Sequence, residues 1–389
     1  MPQAKSIYIT PLHQVSPTLA ETIRNCPLQA GLNHDAGTAP FILGYPQAWL
    51  GTAYHEVLAE LCTLSHHNMS NGDSIQALWN NAIDKQHSRI MKHPLDKRYG
   101  SSENWPGYHL TLSGLRVAAD RLNRVFKAHE FTIADKELTL EHNFAFEKQL
   151  SAFNGLLVGR PDLYNSKEVI DFKTGAIVER ASDEVTFTNV KQGYIRQLRI
   201  YAFLVNSVIG QWPRKAALWP LNGKPLEFDI HPDECVQEAN EAVKMLTSYN
   251  SKLSSAASPL DMSSPSPSKC SRCLFQILCP AFWEEVTADW LEELGNHTIE
   301  ARVYAPTKSL YNGSSIMIPL EILRGTLEST YCQVSPVPLA IHDNITELQT
   351  ENLLRIVSLP AKAKTTVVPS IRTVIIRCSE LPEIRVHDR

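Results

Sequence analysis

Gly159-Arg160-Pro161-Asp162-Leu163 and, beginning six residues after it, Val169-Ile170-Asp171-Phe172-Lys173-Thr174-Gly175 form the stretch on which the reading of this chain turns. Val169 to Phe172 is apolar and β-branched enough to be a strand. Its period of two projects Asp171 and Lys173 from one face. Asn165-Ser166-Lys167 supplies polar turn residues, so the preceding segment folds back and carries Asp162 toward Asp171. Two carboxylates and an ammonium converging at sheet ends suit a hard divalent cation and a polarised water. An isolated Asp-x-Lys is common on solvated hairpins, so the reading depends on its surroundings.

Outward from this stretch, Gln197 and Tyr201 lie four apart and share a helical face, within a run where Tyr194, Leu198, Tyr201, Val205 and Val208 step by three or four. Upstream, Gly51-Thr52-Ala53-Tyr54-His55 places a histidine on a helix marked by Trp49, Leu50, Tyr54, Leu58 and Leu61. A lone histidine there is ordinarily a packing residue. In this order with the other two segments it becomes a candidate ligand. Leu115, Val117, Ala118, Leu122 and Phe126 mark another helix, and Glu234 to Tyr249 a further one. Leu138–Phe146, Phe153–Tyr164 and Ala216–Leu221 read as strands. The expected fold is α/β, a mixed central sheet flanked by helices, with a helical insertion over about 60–135. That insertion is expected to arch over the site; Trp105, Tyr108 and Phe126 could stack bases there, but aromatics at such positions are more often core and are not counted as site residues.

The 389 residues, 43% hydrophobic and 20% charged, allow two domains and a sizeable core. Ser254 to Ser268, rich in serine and proline, reads as a linker, and Glu284 to Leu294 as an acidic helix. From about Thr298, the runs Ser315–Leu323, Leu353–Leu359 and Thr366–Arg377 alternate in polarity and predict a small barrel-like β module. The boundary is set at 285/286: a first domain over 1–285 and a β-rich accessory domain over 286–389. The net charge of −4 excludes coating of nucleic acid by bulk charge and directs attention to local patches. One patch comprises Lys85, Arg89, Lys92, Lys97, Arg98, Arg116, Arg121, Arg124 and Lys127, where solvated helix faces compete equally as an explanation. A second, between Asn189 and Lys215, holds Lys191, Arg196, Arg199, Arg214 and Lys215 without an acid. Lys191, Arg196 and Arg199 flank Gln197 and are the candidate phosphate contacts. Lys362, Lys364, Arg372 and Arg377 form a third group, in the β-rich part. Met1 to Thr10 lacks a basic stretch followed by an apolar core, and no run reaches the roughly 20 apolar residues of a membrane span. A cytoplasmic protein with no membrane partner is expected. No Gly-x-x-x-x-Gly-Lys-Ser/Thr loop occurs, so any unwinding needs another subunit.

Cys270-x₂-Cys273-x₅-Cys279-Pro280 has the spacing of a metal centre and offers three thiolates. Cys26, in Asn25-Cys26-Pro27, is the candidate fourth. Spacing alone admits tetrahedral zinc as well as iron–sulfur. Either would pin the N-terminal segment to the far flank of the first domain. Cys62, Cys235, Cys332 and Cys378 lack such spacing.

Taken in order, Gly-x-x-x-His, Gly-x-x-Asp, Asp-x-Lys-Thr-Gly and Gln-x-x-x-Tyr resemble the RecB-like branch of the PD-(D/E)XK nuclease superfamily. The cysteines are similar to those of its iron–sulfur subgroup, which includes CRISPR-associated adaptation nucleases and some helicase–nuclease subunits. The resemblance spans Cys26 to Cys279 and implies a restriction-endonuclease-like fold. It implies Mg²⁺ or Mn²⁺ held by His55, Asp162, Asp171 and the Phe172 carbonyl. It implies that Lys173 orients or activates the attacking water, with Gln197 and Tyr201 in support, and that the four cysteines hold a structural 4Fe–4S cluster. The expected activity is deoxyribonuclease, exonuclease ahead of endonuclease, on single-stranded DNA or DNA ends. The competing reading is a non-catalytic nucleic-acid-binding or assembly subunit. On either, the β-rich domain is a candidate surface for a protein partner.

Overall fold

The computed structural model describes residues 6–63, 72–133, 144–178, 190–362 and 365–386. Strand β1 (Ile7–Ile9) is followed by helices α1 (Pro17–Asn25), α2 (Pro27–Leu32), α3 (Pro46–Thr63), α4 (Gly72–Met91) and α5 (Tyr108–Ile133). The first three begin on proline, which has no N–H to leave unpaired in an opening turn. Ser16 Oγ accepts from the Leu19 amide and fixes the start of α1.

Next come β2 (Ala145–Phe146), β3 (Leu150–Ala152), β4 (Leu157–Gly159), β5 (Leu163–Tyr164) and β6 (Glu168–Lys173), then α6 (Gln192–Ile209), β7 (Lys215–Pro220), β8 (Leu226–Asp229) and α7 (Pro232–Ser255). The central sheet runs β2-β5-β6-β7-β8, with β6 and β7 parallel and the remaining pairs antiparallel. Parallel neighbours need a crossover, and α6 provides it. The long strand expected over Phe153–Tyr164 is instead broken. A tight turn at Phe153–Gly155, with Asn154 at φ 55°, makes the β3–β4 hairpin. The chain then leaves the ladder at Arg160–Asp162 before rejoining as β5. Of the strand expected over Leu138–Phe146, residues 138–143 lie outside the described ones.

Strand β6 is covered on both sides, which explains its unbroken apolar run. Ile170 and Phe172 join Trp49, Tyr54, Leu58, Trp79 and Leu122 beneath α3, α4 and α5. Val169, Ala216 and Leu218 join Leu198, Leu204 and Val205 of α6, with Ala239 and Leu246 of α7. The helices between 60 and 133 therefore form a packed layer of the domain, not an arch. Trp105 is buried, Tyr108 packs on Trp79, and Phe126 on Phe144.

The Ser254–Ser268 segment is likewise ordered. Asp261 accepts from the amides of Ala257 and Ser258, each at 2.8 Å, and Met262 is buried where the Pro259–Met262 turn meets α2. Its prolines fix turns instead of loosening the chain. Beyond it lie α8 (Pro267–Cys270), α9 (Pro280–Glu285) and α10 (Leu291–Leu294), so the single acidic helix expected over 284–294 is split by a turn at Val286–Thr287.

The β-rich region holds β9 (Asn296–Val303), β10 (Lys308–Leu310), β11 (Ser315–Gly325), β12 (Tyr331–Pro338), β13 (Leu353–Pro360), β14 (Thr366–Val367), β15 (Val374–Arg377) and β16 (Ile384–Val386). Its main ladder runs β14-β12-β11-β9-β13-β15, with β10 paired to β11. Ile299, Ala301, Ile318, Leu320, Val334, Leu354, Ile356 and Ile375 gather in one core that includes no residue before Ile299. The ladder is an open path from β14 to β15 whose one face gathers this core. Val357, Val374 and Ile376 face the other way and join Ile277, Phe282 and Trp283. Arg355 and Arg324 share Glu300, at 2.9 and 3.1 Å, and donate to the carbonyls of Ile277 and Trp283. β16 leaves this sheet and pairs in parallel with β1. Among the described residues, no helix is long and apolar enough to cross a membrane.

Candidate active site

The site forms where β5 begins and β6 ends, between the two helical layers. α3 delivers His55. One turn earlier, a Cβ at Gly51 would sit 2.8 Å from Thr174 Oγ1, so only glycine lets α3 approach the end of β6 this closely. The break before β5 frees Asp162 from the ladder. Its Oδ1 lies 3.4 Å from His55 Nδ1, and its Oδ2 accepts from the Phe172 amide at 2.6 Å. The register of β2 against β5 sets Glu147 beside Asp162, and the Glu147 amide donates to the Asp162 carbonyl at 3.1 Å. His55, Glu147 and Asp162 offer one ligand atom each, all within 4.8 Å of one another. Glu147 is the residue sequence reasoning missed. The apolar run Leu138–Phe146 stops one residue short of it, and only the pairing of β2 with β5 shows that the next residue faces the site.

On the opposite face of β6, Asp171 and Lys173 point toward α6. Lys173 Nζ lies 2.6 Å from Asp171 Oδ2 and donates to Gln197 Oε1 at 2.9 Å. Gln197 Nε2 donates to Tyr201 OH at 3.0 Å. The ring of Tyr194 stands 4.4 Å from the Lys173 ammonium. The i, i+4 spacing of Gln197 and Tyr201 thus becomes a relay that fixes where the lysine points.

Burial raises the pKa of Asp171, Lys173 lowers it and Asp162 raises it again, for a net rise. Lys173 is itself buried, which favours the neutral amine, but Asp171 outweighs this and the group remains an ammonium. For His55, burial opposes protonation while the hydrogen bond and charge of Asp162 favour it, and the result is a raised pKa. Burial likewise raises Glu147, against the pull of Arg160. Asp171 Oδ2 has no well-directed hydrogen bond despite its closeness to Lys173. A buried oxygen so poorly satisfied, near the two converging carboxylates of Glu147 and Asp162 and the His55 imidazole, fits a divalent cation. Carboxylates suit Mg²⁺ or Mn²⁺, and imidazole is more at home on Mn²⁺.

The positive patch read around Gln197 is largely neutralised by acids from distant segments. Arg196 makes a two-pronged pair with Glu21 of α1, at 2.6 and 2.7 Å. Arg199 meets Glu234 at 2.5 Å and Glu238 at 3.8 Å on α7. Lys215 pairs with Glu227 at 2.8 Å. These arginines tie α6 to its neighbours. Lys191 Nζ donates to the Ala176 carbonyl, at 2.5 Å, and stands 5.6 Å from the Tyr194 ring. Of the helical patch, Lys85 pairs with Glu56, and Arg98 is buried on Asp96.

Cys26, Cys270, Cys273 and Cys279 line one pocket with Leu28, Leu32, Phe275 and Phe282. Cys26 is placed by the junction of α1 and α2, Cys270 by the end of α8, and Cys279 by the start of α9. Cys279 Sγ accepts from the Phe282 amide at 3.4 Å. Burial pushes the Cys279 thiol up to about 12 and raises Cys270 and Cys273 as well, so bound cation charge would be needed to hold them as thiolates. An apolar pocket with four converging thiols fits a metal centre.

No curated protein matches the chain. A family model does match, over residues 14–280, a span holding both the carboxylate–lysine site and all four pocket cysteines. With this match over more than half of its length, the chain belongs to the PD-(D/E)XK nuclease superfamily, whose members are generally metal-dependent nucleases.

Proposed function

We propose that the protein is a Mg²⁺- or Mn²⁺-dependent deoxyribonuclease acting on single-stranded DNA or DNA ends, as an exonuclease, with a structural 4Fe–4S cluster on its four pocket cysteines. The observation that carries the reading is the meeting of His55, Glu147 and Asp162 within 4.8 Å, with the Asp171–Lys173 pair beside them. His55, Glu147, Asp162 and Asp171 would hold the cation. When bound, it supplies charge neutralisation at the phosphate and an acidified water. Lys173, an ammonium held by Gln197 and Tyr201, donates to a phosphate oxygen or to the attacking water. Tyr194 shields its inner side.

For the cysteines, the reading is supported by the Cys-x₂-Cys-x₅-Cys spacing with Cys26 brought to the same pocket from the other end of the domain. Free thiols throughout the chain suit a reducing cytoplasm.

The test is anaerobic purification, a visible absorption spectrum, and labelled single- and double-stranded DNA with Mg²⁺ or Mn²⁺. Brown protein that degrades single strands is expected, with Lys173→Ala slowed at least 100-fold, roughly the worth of one electrostatic catalytic group. Full cleavage by homogeneous Lys173→Ala protein would sink the assignment. A colourless, inactive but DNA-binding preparation would favour a non-catalytic subunit.

A further inference from the structure

The start of α3, the cysteine segment and the β-rich region enclose a cleft of ≈870 Å³, near the upper end of the roughly 300–1,000 Å³ typical of ligand sites. We infer that this cleft is the track along which a single nucleic-acid strand runs to the metal site. The inference rests on the nuclease reading above and adds the route of the substrate and a role for the β-rich region.

Charge is the first argument. The lining includes Arg98, Arg272 and Arg372 and no carboxylate, in a chain of net charge −4. Arg98 is buried and committed to Asp96 and the Ile371 carbonyl. Arg272 and Arg372 are exposed, and among the described residues neither has an ion-pair partner. Most other arginines near the site are already matched by acids, as Arg196 and Arg199 are. Two unmatched guanidiniums facing one cleft from different parts of the chain suit phosphates.

The second argument is chemical variety. Tyr45, 46% exposed, supplies a stacking face at the same cleft. Gln47, Gln276 and Asn296 add donors and acceptors. Aromatic, amide and arginine side chains together are what a single strand uses, since its bases are free to stack.

The third is continuity. Gln47 lines the cleft, Gly51 abuts Thr174 at the end of β6, and His55 is at the metal site. Spaced i, i+4, i+8, they share one face of α3. Eight residues of helix span about 12 Å. One helix therefore carries both the cleft and the chemistry, with the buried contact of Gly51 on Thr174 between them, and the strand passes beside that contact.

The test measures the affinity of full-length, anaerobically purified protein for a fluorescein-labelled oligothymidylate from 50 to 200 mM salt. Ca²⁺ replaces the catalytic cation so that the strand stays intact. Arg272→Gln/Arg372→Gln protein is expected to bind roughly tenfold more weakly, with a salt slope smaller by about 1.4, the worth of two phosphate contacts on a single strand. Photocrosslinking wild-type protein to an iodouracil oligonucleotide is expected to label the peptides carrying Arg272 and Arg372, which guards against misfolding of the variant. Unchanged affinity and slope in the variant, with crosslinks elsewhere, overturn the cleft and leave the nuclease reading standing. Wild-type protein that neither binds nor cleaves DNA overturns both.

Discussion

Glu147 enlarges the candidate metal site. With His55 and Asp162 it makes a three-ligand group on the α3 side of the sheet, while Asp171 is engaged by Lys173 on the α6 side. The raised pKa of Glu147 has burial as its main cause, and Arg160 alone does not offset it, so a carboxylate there lacks a full counter-charge. Glu147→Gln keeps the shape and removes the charge. It is expected to raise the Mn²⁺ concentration needed for half-maximal cleavage by roughly 10–100-fold, the scale seen for groups that support metal ligands. A metal titration of activity checks this, and an unchanged midpoint would remove Glu147 from the ligand set. Asp162, Asp171, Lys173 and His55 were legible because each sits in a short motif. Glu147 was not, because its place depends on a partner strand 16 residues away.

Among the elements, α6 does most to shape the site, and Gly159 sets how closely β4 approaches it. A Cβ at Gly159 would lie 2.5 Å from Leu204 Cδ1 and 3.0 Å from Tyr201 Cε1. Gly159→Ala must displace Leu204 and crowd the Tyr201 ring, and a shift of that ring is expected to turn Lys173 through Gln197. A stability loss of roughly 1–3 kcal/mol is expected from overpacking, together with a fall in kcat larger than any change in KM. Urea melts and steady-state kinetics check the two parts, and intact kcat would show that Tyr201 does not govern Lys173. The helices and the strands β6, β7, β11 and β13 were readable from periodicity, since local spacing decides which face is buried. Salt-bridge partners were not. Glu21 lies 175 residues from Arg196, and no local count of charges finds it. The order in Ser254–Ser268 was hidden for a related reason, since a buried Met262 and a side-chain cap outweigh a composition that resembles a linker.

For the whole molecule, side-chain polar contacts join the two parts of the chain at two places, besides the pairing of β1 with β16. Arg355 and Arg324 grip the carbonyls of Ile277 and Trp283, on either side of Cys279. Elsewhere Arg98 reaches the Ile371 carbonyl and Lys97 meets Asp343, next to His342. His342 is buried, with Nε2 lacking a partner, and burial first, then Arg98, hold its pKa down at about 4. The unfolded chain binds the proton more readily between pH 4 and 6.5, so stability is complete above 6.5 and declines as pH falls toward 4. The loss is bounded at roughly 3 kcal/mol. Denaturation midpoints at pH 7 and 4.5 should show it, and His342→Leu should flatten the slope. An equally steep variant would place the effect elsewhere. The parallel pairing of Ile7–Ile9 with Ile384–Val386 has a consequence for biosynthesis. At ~5–20 residues per second, the ribosome delivers the second of these strands roughly 20–75 s after the first. Until then β1 lacks its neighbour. Cys26, close behind it in sequence, must wait for Cys270 to Cys279 to emerge before the pocket can close. The thiol pocket can therefore close only after Cys279 has emerged, and the strand pair that joins the two parts of the chain only after Val386 has.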